Sequence, residues 1–210
     1  MATVFIDNLG LELITLIFAS GITVYLTGNV YLEYRKNGTK NIESALRQGA
    51  LPLGLVGAVV TILGLWGEMT WPFPGGEAKF NILFGDPYLI FGIILLSMAL
   101  AIHFRQKLSI VGFFALLGGL MAIYYGALLY SQGLTQSPLG ALAMYLAFGI
   151  AGVFTFPATL AYDNMEGKDA KGPGIYAIFL ILFWLAFIAA AIFSAIIGVP
   201  AVQGHLLSTP

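Results

Sequence analysis

Residues 173–198, PGIYAIFLILFWLAFIAAAIFSAIIG, form an apolar stretch without a single charged side chain. A helix needs about 20 apolar residues to cross the hydrocarbon core of a bilayer. The strands of a membrane barrel would instead alternate apolar and polar residues over about 10 positions. The length and continuity of this stretch therefore predict a membrane-spanning helix.

Five further stretches of the chain have the same character. Hydrophobic residues make up 59% of the sequence and charged residues 9%, whereas soluble domains carry roughly 25% charged residues. A soluble fold could not cover so much apolar surface with polar side chains. We therefore predict an all-α integral membrane bundle that forms one domain over residues 1–210. Its six spans are residues 9–32, 49–67, 86–104, 109–131, 138–161 and 173–198.

The basic residues indicate how these spans are threaded through the membrane. Eight of the nine lysines and arginines fall in the connections 33–48, 105–108 and 162–172, and the ninth is Lys79. Positively charged loops stay on the cytoplasmic side of a membrane. The pattern predicts a multi-pass protein of the cell membrane with these three connections in the cytoplasm and both termini outside.

Small residues recur every fourth position along three of the spans. Such stripes lie along one helix face and let helix backbones approach closely in a bilayer. We expect spans 4 to 6 to form a tight cluster, with packing inside the chain favoured over an interface with another subunit or a second copy. The stripes are Gly118, Ala122 and Gly126 in span 4; Ala143, Ala147, Ala151, Thr155 and Thr159 in span 5; and Ala186, Ala190, Ser194 and Gly198 in span 6.

The connection 68–85 is rich in aromatic residues, proline and glycine, which predicts a structured outer loop folded over the bundle. Glu12, Glu68 and Asp86 fall at a similar depth on this side. Three carboxylates around an outer vestibule could bind a cation or take up protons. The favoured alternative is structural: Asp86 followed by Pro87 is typical of an N-cap that opens span 3, and the two glutamates reach interfacial water.

Motifs for catalysis and cofactor binding are missing from the sequence. The chain has no cysteine and two histidines, His103 and His205. His103 is the one candidate cofactor ligand, but the two histidines are separated by roughly 30 Å of bilayer and cannot hold one haem in a single chain. The sequence contains no HExxH, GxSxG or GxxxxGK[ST] pattern. We therefore predict no catalytic residue, metal site or cofactor, and we do not expect this chain to be an enzyme by itself.

The run KFNILFGDPYLIFG, preceded by WGEMTWPFPGG, lies within residues 66–92. It resembles a prokaryotic family of predicted membrane proteins of unknown function, domain of unknown function 981. The resemblance implies that most of the chain belongs to such a domain, with a topology consistent with the one above. It implies no activity, substrate or catalytic residue.

The remaining functional expectations follow from charge and architecture. A net charge of −1 argues against a nucleic-acid partner, which would require clustered positive charge. The expected partners are the lipid bilayer and either other membrane subunits or further copies of the chain. The favoured function is a non-catalytic subunit or scaffold of a larger membrane assembly, such as an energy-converting one. The alternative is a small ion or solute channel or transporter, with the outer carboxylates at its entrance and a kink at Pro157 as its gate.

Overall fold

The computed structural model describes residues 8–72, 79–166, 170 and 172–207, and these residues contain helices and short connections but no strand. A π-helical turn, Asn81–Gly85, leads directly into the third long helix, and a 3₁₀ turn, Gly174–Tyr176, leads into the sixth. The long helices are α1 (Asn8–Asn37), α2 (Ile42–Thr70), α3 (Asp86–His103), α4 (Leu108–Ser131), α5 (Pro138–Met165) and α6 (Ala177–Leu207).

All six long helices have the length and apolarity needed to cross a bilayer. Large apolar side chains point away from the bundle on its outer surface; Phe18, Leu51 and Ile62, for example, are 66%, 71% and 64% exposed. An outer surface of this kind suits contact with lipid tails, because lipid can cover apolar side chains that water cannot. The prediction of an all-α bundle is confirmed, as is the prediction of six helices that are long and apolar enough to span a membrane.

The helices extend beyond the apolar stretches that predicted them. Residues 33–48 were predicted as a connection, yet α1 continues to Asn37 and α2 begins at Ile42. In the predicted outer loop 68–85, α2 continues to Thr70 and helical structure resumes at Lys79; residues 73–78 lie outside the described part of the chain. Hydropathy locates only the lipid-facing part of a helix, so polar helix ends that project beyond the bilayer core escape it.

The six helices form a ring in sequence order. Each long helix packs against the next one along the chain, and α6 packs against α1, which closes the ring. The contacts between α4 and α5 and between α2 and α3 are the most extensive. The contact between α3 and α4 is the smallest of the six between neighbouring helices. A ring of this kind encloses a centre that is lined by all of its helices.

Glycines bring α4 and α5 into backbone contact. A Cβ atom added at Gly119 would lie 2.5 Å from the carbonyl oxygen of Gly149, and one at Gly152 would lie 2.7 Å from that of Ala115. Both distances are too short for any side chain. Close packing of this kind is the main attractive interaction between helices in a bilayer, so these glycines fix the α4–α5 pair.

A second glycine contact, between α2 and α3, was missing from the predictions. A Cβ atom at Gly57 would lie 2.6 Å from the Leu96 nitrogen, and one at Gly92 would lie 2.6 Å from the Thr61 nitrogen. The expected cluster of spans 4 to 6 therefore has a counterpart in the first half of the chain.

The predicted small-residue stripes lie mostly inside the bundle, although they do not all face the same neighbours. A Cβ at Gly118 would face α3, 3.0 Å from Ile94 Cδ1, and one at Gly198 would face α1, 2.8 Å from Leu13 Cβ. Ala143 is partly buried. The buried members are Ala122, Gly126, Ala147, Ala151, Thr155, Thr159, Ala186, Ala190, Ser194 and Gly198.

Charge divides the two ends of the bundle. We call the end that carries Glu12, Glu68 and Asp86 the acidic end. The opposite, basic end carries Arg35, Lys36, Lys40, Arg47, Arg105 and Lys107. At the basic end Arg105 Nη2 lies 2.8 Å from Glu43 Oε1, which ties the α3–α4 connection to the start of α2.

The N-terminus of α4 is capped by a carboxylate from another helix. Asp163, near the end of α5, accepts hydrogen bonds from the backbone N–H groups of Leu108 at 2.8 Å and of Ser109 at 3.0 Å. The first N–H groups of a helix have no partner within it, and they carry partial positive charge. Asp163 thus stabilises α4 by supplying both acceptors and negative charge.

Candidate binding cavity

A cavity of about 160 Å³ occupies the centre of the ring and is lined by residues of all six helices. Along α1 its lining extends from Leu9 to Val30. At 1.5 Å per residue these positions are about 30 Å apart, which is the thickness of a bilayer core. The cavity is therefore long and narrow, and it runs from the acidic end towards the basic end.

The walls of the cavity are almost entirely apolar, because its hydroxyl groups bond to the protein itself. Four lining threonines donate to backbone carbonyls of their own helices, as Thr23 does to Ala19 and Thr155 to Ala151. The Tyr162 hydroxyl donates to the Thr27 carbonyl at 2.8 Å. The other two lining threonines, Thr27 and Thr159, donate to the carbonyls of Thr23 and Phe156.

The acidic end of the cavity contains its one formally charged lining side chain among the described residues, Glu12. Glu12 is only 4% exposed. Its carboxylate lies close enough to the hydroxyls of Tyr88 and Tyr145 to interact electrostatically with both. An ionised carboxylate at this position would be the strongest local source of negative potential in the cavity.

Hydrogen bonding at this end fixes the direction of each hydroxyl. Thr15 Oγ1 donates to the Glu12 carbonyl at 2.8 Å and lies 2.5 Å from the Tyr88 hydroxyl. A threonine hydroxyl has one proton; since that proton is used, Tyr88 is the donor to Thr15. The oxygen of Tyr88 is thereby left as an acceptor.

The π-helical turn before α3 explains the position of Tyr145. Pro87 has no N–H, so it cannot bond the carbonyl four residues earlier, that of Leu83. The Tyr145 hydroxyl reaches across from α5 and donates to this carbonyl. Tyr145 is 5% exposed, and its hydroxyl supplies a donor to this buried carbonyl in place of the N–H that Pro87 lacks.

A second polar cluster lies beside the first. The Asp86 carboxylate accepts a hydrogen bond from the Tyr125 hydroxyl at 2.5 Å, and the Glu68 carboxyl group lies close enough to Asp86 to interact with it electrostatically. Glu68 Oε1 is buried without a hydrogen bond from any of the described residues and occupies the space that a Cβ at Gly85 would need. Glu68, Asp86 and Tyr125 thus form a polar cluster that joins α2, α3 and α4.

The structure corrects the interpretation of Asp86 as an N-cap. Helical structure already covers Asn81–Gly85, so Asp86 has helical dihedral angles and makes no capping hydrogen bond. The proline that suggested a helix start in the sequence instead follows a π-helical turn. Asp86 is thus a side chain of a continuous helix that bonds to α4.

The three predicted carboxylates do share one end of the bundle, but they are divided between these two clusters. Tyr145 is close enough to both clusters to interact electrostatically with Glu12, Tyr125 and Asp86. His103, the candidate cofactor ligand, is exposed at the basic end and packs edge-on against Phe104. Within the part of the chain that the structure describes, no three His, Asp or Glu side chains converge as a metal site would require.

Neither the role of the tyrosines nor the cavity itself was predicted from the sequence. Tyr88, Tyr125 and Tyr145 lie in apolar helices, where tyrosine is typical of a membrane interface. All three lie at the same depth along their spans as Glu12 and Asp86, and this shared depth could have predicted a polar cluster there. Their convergence depends on closure of the ring, which sequence periodicity does not reveal.

Comparisons with known proteins agree with the resemblance noted in the sequence. A family model described as a protein of unknown function (DUF981) matches residues 1–208, so the predicted resemblance to this family is confirmed. No curated protein and no solved structure matches the chain. The geometry of the cavity is therefore the main evidence about function.

Proposed function

This chain belongs to DUF981, a family of proteins of unknown function, and we propose that it binds an apolar molecule, or the apolar chain of an amphiphile, inside its ring of helices. The observation that carries the proposal is the central cavity, whose hydroxyl groups are already bonded within the protein. An apolar ligand would gain contacts there without leaving polar groups unsatisfied.

The size of the cavity defines the size of the ligand. An engineered apolar cavity of about 150 Å³ in another protein stays free of water and binds benzene. At about 160 Å³, the cavity accommodates roughly six carbon atoms without rearrangement of its walls. Its elongated shape favours a linear chain over a compact ring system.

The same lining argues against the sequence-based alternative of an ion or solute channel. Conduction of a hydrated ion or polar solute requires groups that replace its water. Between Glu12 at one end and Tyr162 near the other, the hydroxyls of Thr23, Thr27 and Thr155 donate to carbonyls of their own helix. A path of this kind is a barrier to a hydrated ion, so we do not favour the channel.

The predicted role as a non-catalytic subunit or scaffold, for example in an energy-converting assembly, remains a separate proposal. It rests on the apolar outer surface and short connections. Gly118 and Gly198 already pack against other helices of the same chain. Less of the small-residue surface is therefore left to contact a partner. We therefore place ligand binding first.

A location in the cell membrane with the basic end in the cytoplasm is also part of the proposal, supported by the charge difference between the ends.

Photolabelling tests the proposed function. The probe is a six-carbon alkane that carries a diazirine and no head group, and it is applied to the purified protein in lipid nanodiscs. We expect saturable labelling of cavity-lining peptides, with non-saturable labelling of the outer surface. If labelling of the lining increases linearly with probe concentration, or is absent, the proposal is wrong.

Two neighbouring isoleucines of α3 provide a matched pair of variants. Ile94 lines the cavity, whereas Ile93 is 47% exposed on the outer surface. Ile94→Phe narrows the cavity and should abolish saturable labelling, while Ile93→Phe makes the same change on the lipid side and should preserve it. Equal labelling of the two variants would contradict the assignment of the cavity as the site.

A further inference from the structure

The polar groups at the acidic end of the cavity act as hydrogen-bond acceptors. The single protons of the Tyr88 and Tyr145 hydroxyls are used on Thr15 and on the Leu83 carbonyl, so both phenolic oxygens can only accept a further bond. A carboxylate such as Glu12 has several lone pairs and, when ionised, no proton to donate. A ligand group placed among these three side chains must therefore supply the proton itself.

The charge of the cavity supports the same selection. Glu12 is the one formally charged residue in the described lining, and no lysine or arginine lies there. An ionised Glu12 would repel a carboxylate or phosphate head group strongly, because the dielectric constant is low there. An ammonium group would be attracted, and a hydroxyl group could donate without a charge penalty.

We infer that the cavity takes an apolar chain that ends in a hydrogen-bond-donating group, a hydroxyl or a protonated amine, and that Glu12, Tyr88 and Tyr145 hold this group at the acidic end. The inference rests on the proposed function, since it names the ligand class of the same cavity. It excludes ligands whose polar end is an anion or only an acceptor, such as an ether or a carbonyl.

A matched series of probes tests the head group. Each probe has the six-carbon, diazirine-bearing chain of the headless alkane and ends in a hydroxyl, an ammonium, a methyl ether or a carboxylate. In nanodiscs, the hydroxyl and ammonium probes should label residues beside Glu12 with half-saturation at a concentration about tenfold or more below that of the ether and carboxylate probes.

Two glutamates of α1 give matched variants for the ammonium probe. Glu12→Gln removes the charge but retains an acceptor, so it should weaken ammonium labelling by about tenfold and leave hydroxyl labelling nearly unchanged. Glu33, at the basic end, accepts hydrogen bonds from Asn37 and Asn41, and Glu33→Gln should alter neither. If Glu12→Gln does not fold, Tyr88→Phe provides the second test, because loss of its oxygen should weaken hydroxyl labelling.

The possible failures are distinguishable. If the ether and carboxylate probes label the cavity as strongly as the hydroxyl probe, the head-group inference is overturned and the proposed function stands. If the headless alkane and all four other probes fail to label the lining, both are overturned.

Discussion

The Tyr145 hydroxyl of α5 donates a hydrogen bond to the Leu83 carbonyl in the π-helical turn before α3. This carbonyl lacks its usual helical donor because the residue four positions later is Pro87. The Tyr145 side chain therefore replaces the hydrogen bond that Pro87 cannot donate, and this bond holds its ring at the acidic end of the cavity. The π-helical turn, the ring of helices and the candidate site depend on each other through this bond.

Loss of that hydroxyl should destabilise the protein. Tyr145→Phe removes the hydrogen bond to the buried Leu83 carbonyl, at a cost of about 1–3 kcal/mol, which a lower thermal midpoint in detergent would report. In a Pro87→Ala background the alanine N–H can bond Leu83, so the same substitution should cost less. Additive effects of the two changes would contradict the proposed role of Pro87. Tyr130→Phe, at a 51% exposed position, serves as the control.

The α4–α5 contact should not tolerate even one methyl group. Gly119→Ala places a Cβ 2.5 Å from the Gly149 carbonyl oxygen and should reduce stability by about 1–3 kcal/mol. Gly21 has no atom within 4 Å of its Cβ position, so Gly21→Ala should be neutral or slightly stabilising, because alanine favours helix more than glycine does. Thermal unfolding of the two variants side by side provides the measurement, and equal midpoints would refute the close contact.

Stability should depend on pH through Glu166 at the basic end. Burial, followed by the neighbouring Glu43 and Asp163 carboxylates, raises the pKa of Glu166 above its usual 4.5, and Arg105 and Arg47 oppose this shift. The folded state then holds the proton more tightly than the unfolded state. Its contribution to stability is full below pH 4.5 and is lost as pH rises through the raised pKa.

Glu166→Gln should therefore unfold at a higher temperature than the parent protein at pH 7, by an amount equivalent to about 0.5 kcal/mol or less, and the difference should vanish near pH 4. Glu43→Gln serves as a contrast, because it loses contacts with Arg47 and Arg105 and should unfold earlier at pH 7. A Glu166→Gln midpoint equal to or below that of the parent at neutral pH would show that this carboxylate is not destabilising.

Cysteine accessibility separates a dry cavity from a water-filled path. The chain has no native cysteine, so Thr155→Cys and Lys36→Cys each introduce a single thiol. Thr155 lines the cavity, and we expect no reaction there with a charged methanethiosulfonate reagent, while the exposed Lys36→Cys reacts fully. Comparable reaction rates at the two positions would favour the channel alternative.

Hydropathy was sufficient to predict the number of helices and the class of fold. The apolar run 173–198 and its five counterparts carry that information locally, and the charge pattern separates the two ends. Helix boundaries were less accurate, since Arg35 and Glu43 lie in helices that continue past the apolar core. The ends of these helices are polar, so they could be predicted only from the helix propensity of their residues, which hydropathy does not measure.

The candidate site was only partly predictable. Position along a span gives depth, which is why Glu12, Glu68 and Asp86 could be assigned to one end of the bundle; that they form a site stays a prediction. The N-cap assignment of Asp86 failed because Pro87 has two explanations in sequence, a helix start or a defect inside a helix. Only the position of Tyr145 on another helix distinguishes them. The cavity depends on how all six helices close into a ring, and no local pattern encodes it.

The central claim is that the ring encloses a dry, apolar cavity, and a structure determined under xenon pressure tests it most directly. Xenon enters apolar cavities that water leaves empty. We predict xenon density inside the ring between Thr23, Phe91 and Thr155, all of which line the cavity. A file of ordered water molecules at that position, or closely packed side chains with no space for xenon, would contradict the claim.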